Sequence, residues 1–279
     1  MGADIKSLRV RIKSVDSTMH LTKAMGLVAS SKIRRATLNM NQSRQYADAV
    51  DAAIATLVTS PDCAKSPYMR AAADTPDART LLVVIAGDRG LAGGYNANIF
   101  RLLRDYVANS AVMTVYPIGK RACDRFGEGA ISAEKFTYGQ AQQLADRLCD
   151  EFVAGEYDRV GVIWTRYVSM MTQEATLSWL LPLQREQLQQ KRSGKGADVV
   201  FEPDELTILN LSVKEYVAGH LVALVRESFA SEVAARRCAM DSAGKNAQQM
   251  IDELQLDYNR ARQGAITQEL TEIVAGANA

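Results

Sequence analysis

Apolar positions in the first 60 residues recur in a three-four rhythm. One series runs Ile5, Ile12, Met19, Gly26, Ile33, Met40, Ala47 and Ile54; the other runs Leu8, Val15, Thr22, Ala29, Ala36, Ser43, Val50 and Leu57. Thr22 and Ser43 are the polar exceptions. A heptad held this long predicts a coiled-coil helix. Gly26, Ala29 and Ala36 predict a partner helix in close approach. Residues 206–279 repeat the pattern less strictly, first at Val217, Leu221, Leu224 and Phe229. A second stripe follows at Met240, Ala243, Ala247, Met250, Leu254, Tyr258, Ala261 and Ala265. All six prolines lie between Pro61 and Pro203. Proline breaks helix interiors, so both arms are free to be helical. At 1.5 Å per residue they would reach roughly 90 and 110 Å, too long for one globular domain.

The middle, 76–202, has a different pattern. "TLLVVIAG", "VMTVYPIG", "RVGVIWT" and "ATLSWLLPL" read as strands. Helix-like segments at 95–108, 119–126 and 139–154 separate the first three strands and predict a largely parallel sheet. Polar residues 184–204, with Gly194 and Gly196, read as a mobile loop. The expected fold is α/β: a long antiparallel two-helix coiled coil with an inserted Rossmann-like domain. Its parts are a coiled-coil helix at 1–60, an α/β domain at 76–202 and a second coiled-coil helix at 206–279.

Charge links the arms. Residues 1–60 carry nine bases and four acids; residues 204–279 carry seven bases and eleven acids. Opposite signs favour pairing of the two arms over nucleic-acid binding by the basic one. Exposed pairs are individually weak, so they support orientation and register. No apolar run approaches the ~20 residues that span a bilayer. The N-terminus has no signal-peptide core, and Lys6 stands where a myristoylation signal needs Ser or Thr. Cys63, Cys123, Cys149 and Cys238 are scattered, which predicts neither a disulfide framework nor a zinc site and suits a reducing cytoplasm. His20 and His220 lack metal-ligand spacing and read as packing or surface residues.

"GDRGLAGGYN" (87–96) raises the question of phosphate binding, because it joins a strand to a helix. A Walker loop needs Lys followed by Ser or Thr; here Gly94 is followed by Tyr95 and Asn96. Gly87, Gly90, Gly93 and Gly94 do not fit G-x-G-x-x-G. The loop reads as a tight turn or contact surface, and no cofactor or metal is expected. The tail, 262–279, sets Thr267, Glu269 and Glu272 among Ile266, Leu270 and Ile273, and reads as an amphipathic helix end with Gly276 near the C-cap.

Taken together, these stretches resemble the gamma subunit of bacterial-type F-type ATP synthase, the central rotor shaft. "ITQELTEIVAGANA" resembles its C-terminal signature, with Ile266, Thr267, Glu269, Glu272, Gly276 and Ala277 in place. "LTKAMGLVASSKIRRA" resembles its N-terminal helix; "SEVAARRCAMDSAGKNA" and "YNRARQGAIT" resemble its long C-terminal helix. "GDRGLAGGYN" resembles the central motif, with Asp88, Arg89, Gly90 and Gly93 matching and Ala92 where cysteine is common.

The resemblance implies a non-catalytic subunit that transmits torque from a proton-driven c ring to catalytic beta subunits. Its implied partners are three alpha and three beta subunits, the epsilon subunit and the c ring; no nucleic acid is implied. The implied location is the cytoplasmic face of the bacterial inner membrane, with membrane contact only through the c ring. Arg262, Gln263, Thr267 and Glu269 match the cluster that meets a beta-subunit catch, and Lys23 and Met25 match the position beside the beta-subunit lever.

Overall fold

The computed structural model describes residues 2–71, 77–108, 113–127, 131–190 and 201–277. Two helices dominate it: α1 (Gly2–Leu57, 56 residues) and α6 (Glu205–Ala277, 73 residues). Between them lie β1 (Thr80–Ile85), α2 (Tyr95–Val107), β2 (Met113–Ile118), α3 (Lys120–Phe126), α4 (Tyr138–Val153), β3 (Arg159–Tyr167), β4 (Gln173–Leu181) and α5 (Arg185–Gln190). Asp204 starts α6, accepting 2.8 Å hydrogen bonds from the Thr207 amide and hydroxyl, which satisfies an otherwise orphaned helix donor.

Residue contacts divide the chain into two compact units, 1–30 with 236–279, and 31–235. In the first, the helices run antiparallel: Arg9 donates to the Tyr258 hydroxyl, Thr22 faces Gly244, and Gly26 faces Met240. Met19, Ala247 and Ile251 form its apolar seam, flanked by Ile12 and Val15. A Cβ added to Gly26 would lie 3.6 Å from Met240 Cβ, and Ala29 is buried. The expected close approach is therefore present. The C-terminal stripe differs at one place. Ile251 is buried, whereas Met250 is 43% exposed. Ile251 takes the seam position between buried Ala247 and Leu254, four residues after the one and three before the other, as a heptad requires.

In the second unit, the sheet order is β2-β1-β3-β4, with β1 parallel to β2 and β3, and β4 antiparallel to β3. The four expected strands are present, and only β4 departs from parallel. β1 is buried along its whole length, as a central parallel strand should be. Leu81, Val83 and Ile85 join the core shared with α4, α6 and the end of α1, while Leu82 and Val84 join Ile99 and Leu103 of α2. The polar heptad positions also turn inward. Ser43, in this unit, and Thr22, in the other, are both buried, each returning its hydroxyl to its own helix, at Asn39 O and Met19 O.

The expected loop at 184–204 is only partly a loop. Residues 185–190 form α5, anchored by buried Leu188; residues 191–200 lie outside the described part. Arg185 supplies donors to Val58 O (2.7 Å), Thr59 O (3.2 Å) and Ser60 O (3.1 Å), satisfying carbonyls at the end of α1. One described helix, α6, has a window long and apolar enough to cross a membrane, with mean hydropathy 1.3, yet 61% of that window is buried inside the protein. Its apolarity serves the core.

Candidate functional site

Doubly wound sheets bind ligands outside the carboxyl ends of their strands, where the strand order reverses. Here that point lies between β1 and β3, beside the loop 87–96. The loop is tightly braced. Asn96 accepts from the Gly87 amide at 2.9 Å and donates to Arg89 O at 3.3 Å. Asp88 accepts from the amides of Lys120 (3.1 Å), Ala133 (3.0 Å) and Glu134 (3.0 Å) and from the Ser132 hydroxyl (2.6 Å). Burial opposes its charge, but the bonds from Ser132, Glu134, Lys120 and Ala133 outweigh it and hold the carboxyl below its usual range. Asp88 thus ties the loop to the segment after α3. Gly93 and exposed Leu91 both take positive φ, 58° and 60°. Arg89 is exposed and Gly90 half-buried.

The crevice itself is filled by α6. Ser228 Oγ accepts from the Thr165 amide at 3.1 Å, Glu227 accepts from the Tyr167 amide at 3.0 Å, and Ser231 donates to Thr165 O at 3.2 Å. Tyr95, the first residue of α2, is buried with them, and Glu232 is 1% exposed. A Cβ on Gly87 would come 2.8 Å from Glu232 Cδ. The Glu232 side chain therefore occupies the place where a phosphate would approach the loop. Gly87 serves packing of α6 on the sheet, and Gly93 serves the turn, where φ is positive.

His220 is no isolated histidine. Its Nε2 lies 2.8 Å from Asp51 Oδ1, with side-chain exposures of 13% and 2%. No local pattern pointed to that pair. His20 is exposed, 3.6 Å from Asp16. The four cysteines are free thiols, with Cys63, Cys123 and Cys149 buried and Cys238 half-buried. Among the described residues, no group of three or more His, Cys, Asp or Glu side chains could hold a metal.

With that geometry in view, comparison with known proteins is decisive. A sequence family described as ATP synthase matches residues 4–279. The sodium-ion-specific ATP synthase gamma chain of Acetobacterium woodii is 35% identical, with 100% of this chain and 99% of the relative aligned. The gamma chain of Ruminococcus albus is 37% identical over 97% and 96%, and that of Psychrobacter cryohalolentis 36% over 99% of each. The chain belongs to the ATP synthase gamma-chain family. Solved structures share the fold. A chain of the Euglena gracilis mitochondrial ATP synthase (OSCP/F1/c-ring, rotational state 3) superposes with a TM-score of 0.69 at 19% identity, covering 100% of this chain and 95% of that one. A chain of the Tetrahymena thermophila central stalk and c-ring gives 0.62 at 24% identity, covering 80% and 99%.

The remaining gamma-family positions lie on the helix pair of the first unit. Lys23 is exposed and Met25 half-buried on α1. Lys23 borders a groove of about 490 Å³ with Leu27, Met240 and Lys245. Arg262, Gln263, Thr267, Glu269, Glu272 and Gly276 are all exposed on α6. In the final turns Ile266, Leu270, Ile273 and Val274 are exposed by 49–68%. The Thr267 hydroxyl donates to Gln263 O at 3.0 Å, and Gln268 donates to Glu272 at 2.9 Å. Ala277 ends the helix. The structure gathers the tail residues onto one helix, with Lys23 and Met25 on the other.

Proposed function

We propose that this chain is the non-catalytic central-stalk rotor subunit of an F-type ATP synthase, passing torque between a membrane c ring and the catalytic beta subunits. The observation that carries this reading is its likeness to gamma chains, at 35–37% identity over nearly the whole length. The filled crevice supports it, because ATP would be bound on partners. So do the two long helices, free of proline in 1–60 and 204–279, since torque transmission favours an unbroken, closely packed pair.

The partners are three alpha and three beta subunits, epsilon and the c ring, at the cytoplasmic face of a bacterial inner membrane. Arg262, Gln263, Thr267 and Glu269 meet a beta subunit in one rotational state, through charge-assisted hydrogen bonds. Lys23 and Met25 meet a beta subunit at its lever, and the bare apolar tail, including Gly276 and Ala277, enters an apolar bearing. The parts 1–60, 76–202 and 206–279 serve as shaft helix, foot and shaft helix. The proposed coupling ion is the proton; the sodium-specific relative makes sodium dependence the opposite result in an ion-gradient assay. A tagged chain should co-purify from membranes with ATPase alpha and beta subunits in threefold excess. Recovery without them sinks the proposal.

A further inference from the structure

Three elements of the second unit meet at one oxygen atom. Glu215 of α6 presents Oε1 to two phenols: Tyr46 of α1 and Tyr138, the first residue of α4, both donate to it. The tyrosines are 43% and 37% exposed, so the meeting point lies at the surface. The rest of the site is shaped around it. One turn along α6, Gly219 leaves room for the Tyr46 ring; an added Cβ would come 2.9 Å from its Cε1. Tyr138 is fixed by the capping box of α4, in which Thr137 and Gln140 bond reciprocally. Lys214, beside Glu215, reaches Asp150 at 2.8 Å and Asp146 at 3.5 Å on the same helix.

Both phenols remain protonated donors. The Glu215 bond first, and burial second, push the Tyr46 ionisation up; for Tyr138 burial leads and the Glu215 bond follows. A carboxylate accepting two hydroxyls makes charge-assisted bonds, stronger than neutral ones. α4 belongs to the layer packed on the sheet through Leu144, Leu148 and Phe152. α1 and α6 are the long helices. Glu215 is thus a point at which the sheet layer grips both long helices through side chains that cannot reach one another along the chain.

We propose that Glu215, held by Tyr46 and Tyr138, is a torque-bearing joint, a positioning residue that keeps the α/β layer from twisting against the helix pair under load. This rests on the rotor reading. The joint does not touch nucleotide; it matters when the membrane ring and the catalytic subunits pull on the chain in opposite senses.

The test uses the complete, membrane-embedded synthase carrying the double variant Tyr46→Phe with Tyr138→Phe. Both rings and their packing remain, and only the hydroxyls go. The expected result is normal assembly, unloaded ATP hydrolysis unchanged, and ATP synthesis against a high phosphorylation load lowered about threefold, the deficit growing with load. Glu215→Gln, which retains one accepting oxygen, should fall between this variant and the unaltered enzyme. Synthesis equal to that of the unaltered enzyme at every load overturns the proposal. So does an equal fall in hydrolysis and synthesis, or loss of assembly, because either marks a purely structural role. A synthase that stays coupled when depleted of this chain overturns the rotor reading itself, and the joint with it.

Discussion

The carboxyl carbon of Glu232 lies where a side chain on Gly87 would begin. A Cβ there would come 2.8 Å from Glu232 Cδ and 2.9 Å from Oε1. Glu232 is 1% exposed, so its carboxyl group is held inside the protein. The contact joins α6 to the carboxyl end of β1 and closes the crevice that this kind of sheet otherwise offers to a ligand.

Gly87→Ala should therefore destabilise the fold by about 1–3 kcal/mol, the usual cost of overpacking. Gly119→Ala should cost more. Its φ is +91°, and the new Cβ would fall 1.9 Å from the Ala86 carbonyl oxygen, which is backbone and cannot swing away. Denaturant midpoints of the two variants check the ordering. A Gly119→Ala protein as stable as Gly87→Ala would contradict the packing described at this edge.

Much of this architecture was legible in the chain, for physical reasons that also mark where reading stops. The heptads of α1 showed because one face of a long helix must be apolar, and even Thr22 and Ser43 obey by bonding to their own backbone. The strands showed as β-branched runs. α5 did not show, because "REQLQQ" holds a single apolar residue, Leu188, and its neighbour Arg185 is held by carbonyls over 120 positions away. Gly87–Glu232, Asp51–His220 and Tyr46–Glu215 share the same property. Each pairs residues far apart in sequence, and neither partner has local periodicity. The hint was available only as an oddity: a glycine just past a buried strand, and acids in a helix segment that is otherwise apolar. Of the candidate contact positions, periodicity placed the tail residues on a helix end, but the choice of Arg262, Gln263, Thr267 and Glu269 came from family resemblance alone.

Acid should weaken the loop through Asp88. Its carboxyl is held below the ordinary range, so its contribution is complete above the unfolded value of about 3.9 and is lost as pH falls through the lower folded value. Asp88→Asn should cost about 1–3 kcal/mol at neutral pH, since hydrogen bonds to a charged acceptor are the stronger kind. The difference from the unaltered protein should shrink below about pH 4. Stability curves measured by denaturant at several pH values test this. A gap that stays constant into acid would show that the charge of Asp88 contributes nothing.

The helix seam of the first unit should tolerate change unevenly. Ala29 is 3% exposed and Leu27 is 72% exposed. Ala29→Leu should cost about 1–3 kcal/mol by forcing the helices apart, while Leu27→Ala should stay within about 0.5 kcal/mol in the isolated chain. Thermal melts of both variants decide it, and the reverse order would mean that α1 presents its other face to α6.

Gln263 tests the tail cluster. Gln263→Leu keeps the size of an exposed residue and removes its amide. In membranes containing matched amounts of assembled enzyme, turnover in hydrolysis or synthesis should fall while nucleotide affinity holds. Unchanged turnover in Gln263→Leu, and in combined substitutions at Arg262, Thr267 and Glu269, would show that this surface is dispensable.

The central claim is that this chain turns while its partners catalyse. It can be tested by immobilising the catalytic subunits and attaching an optical probe to the chain at an exposed position between the long helices, such as Glu134, then watching single complexes hydrolyse ATP. The account predicts unidirectional stepping of the probe that starts with ATP, stops when catalysis is inhibited, and repeats with the threefold symmetry of the catalytic ring. A probe that stays fixed while the same complexes turn over ATP would contradict it.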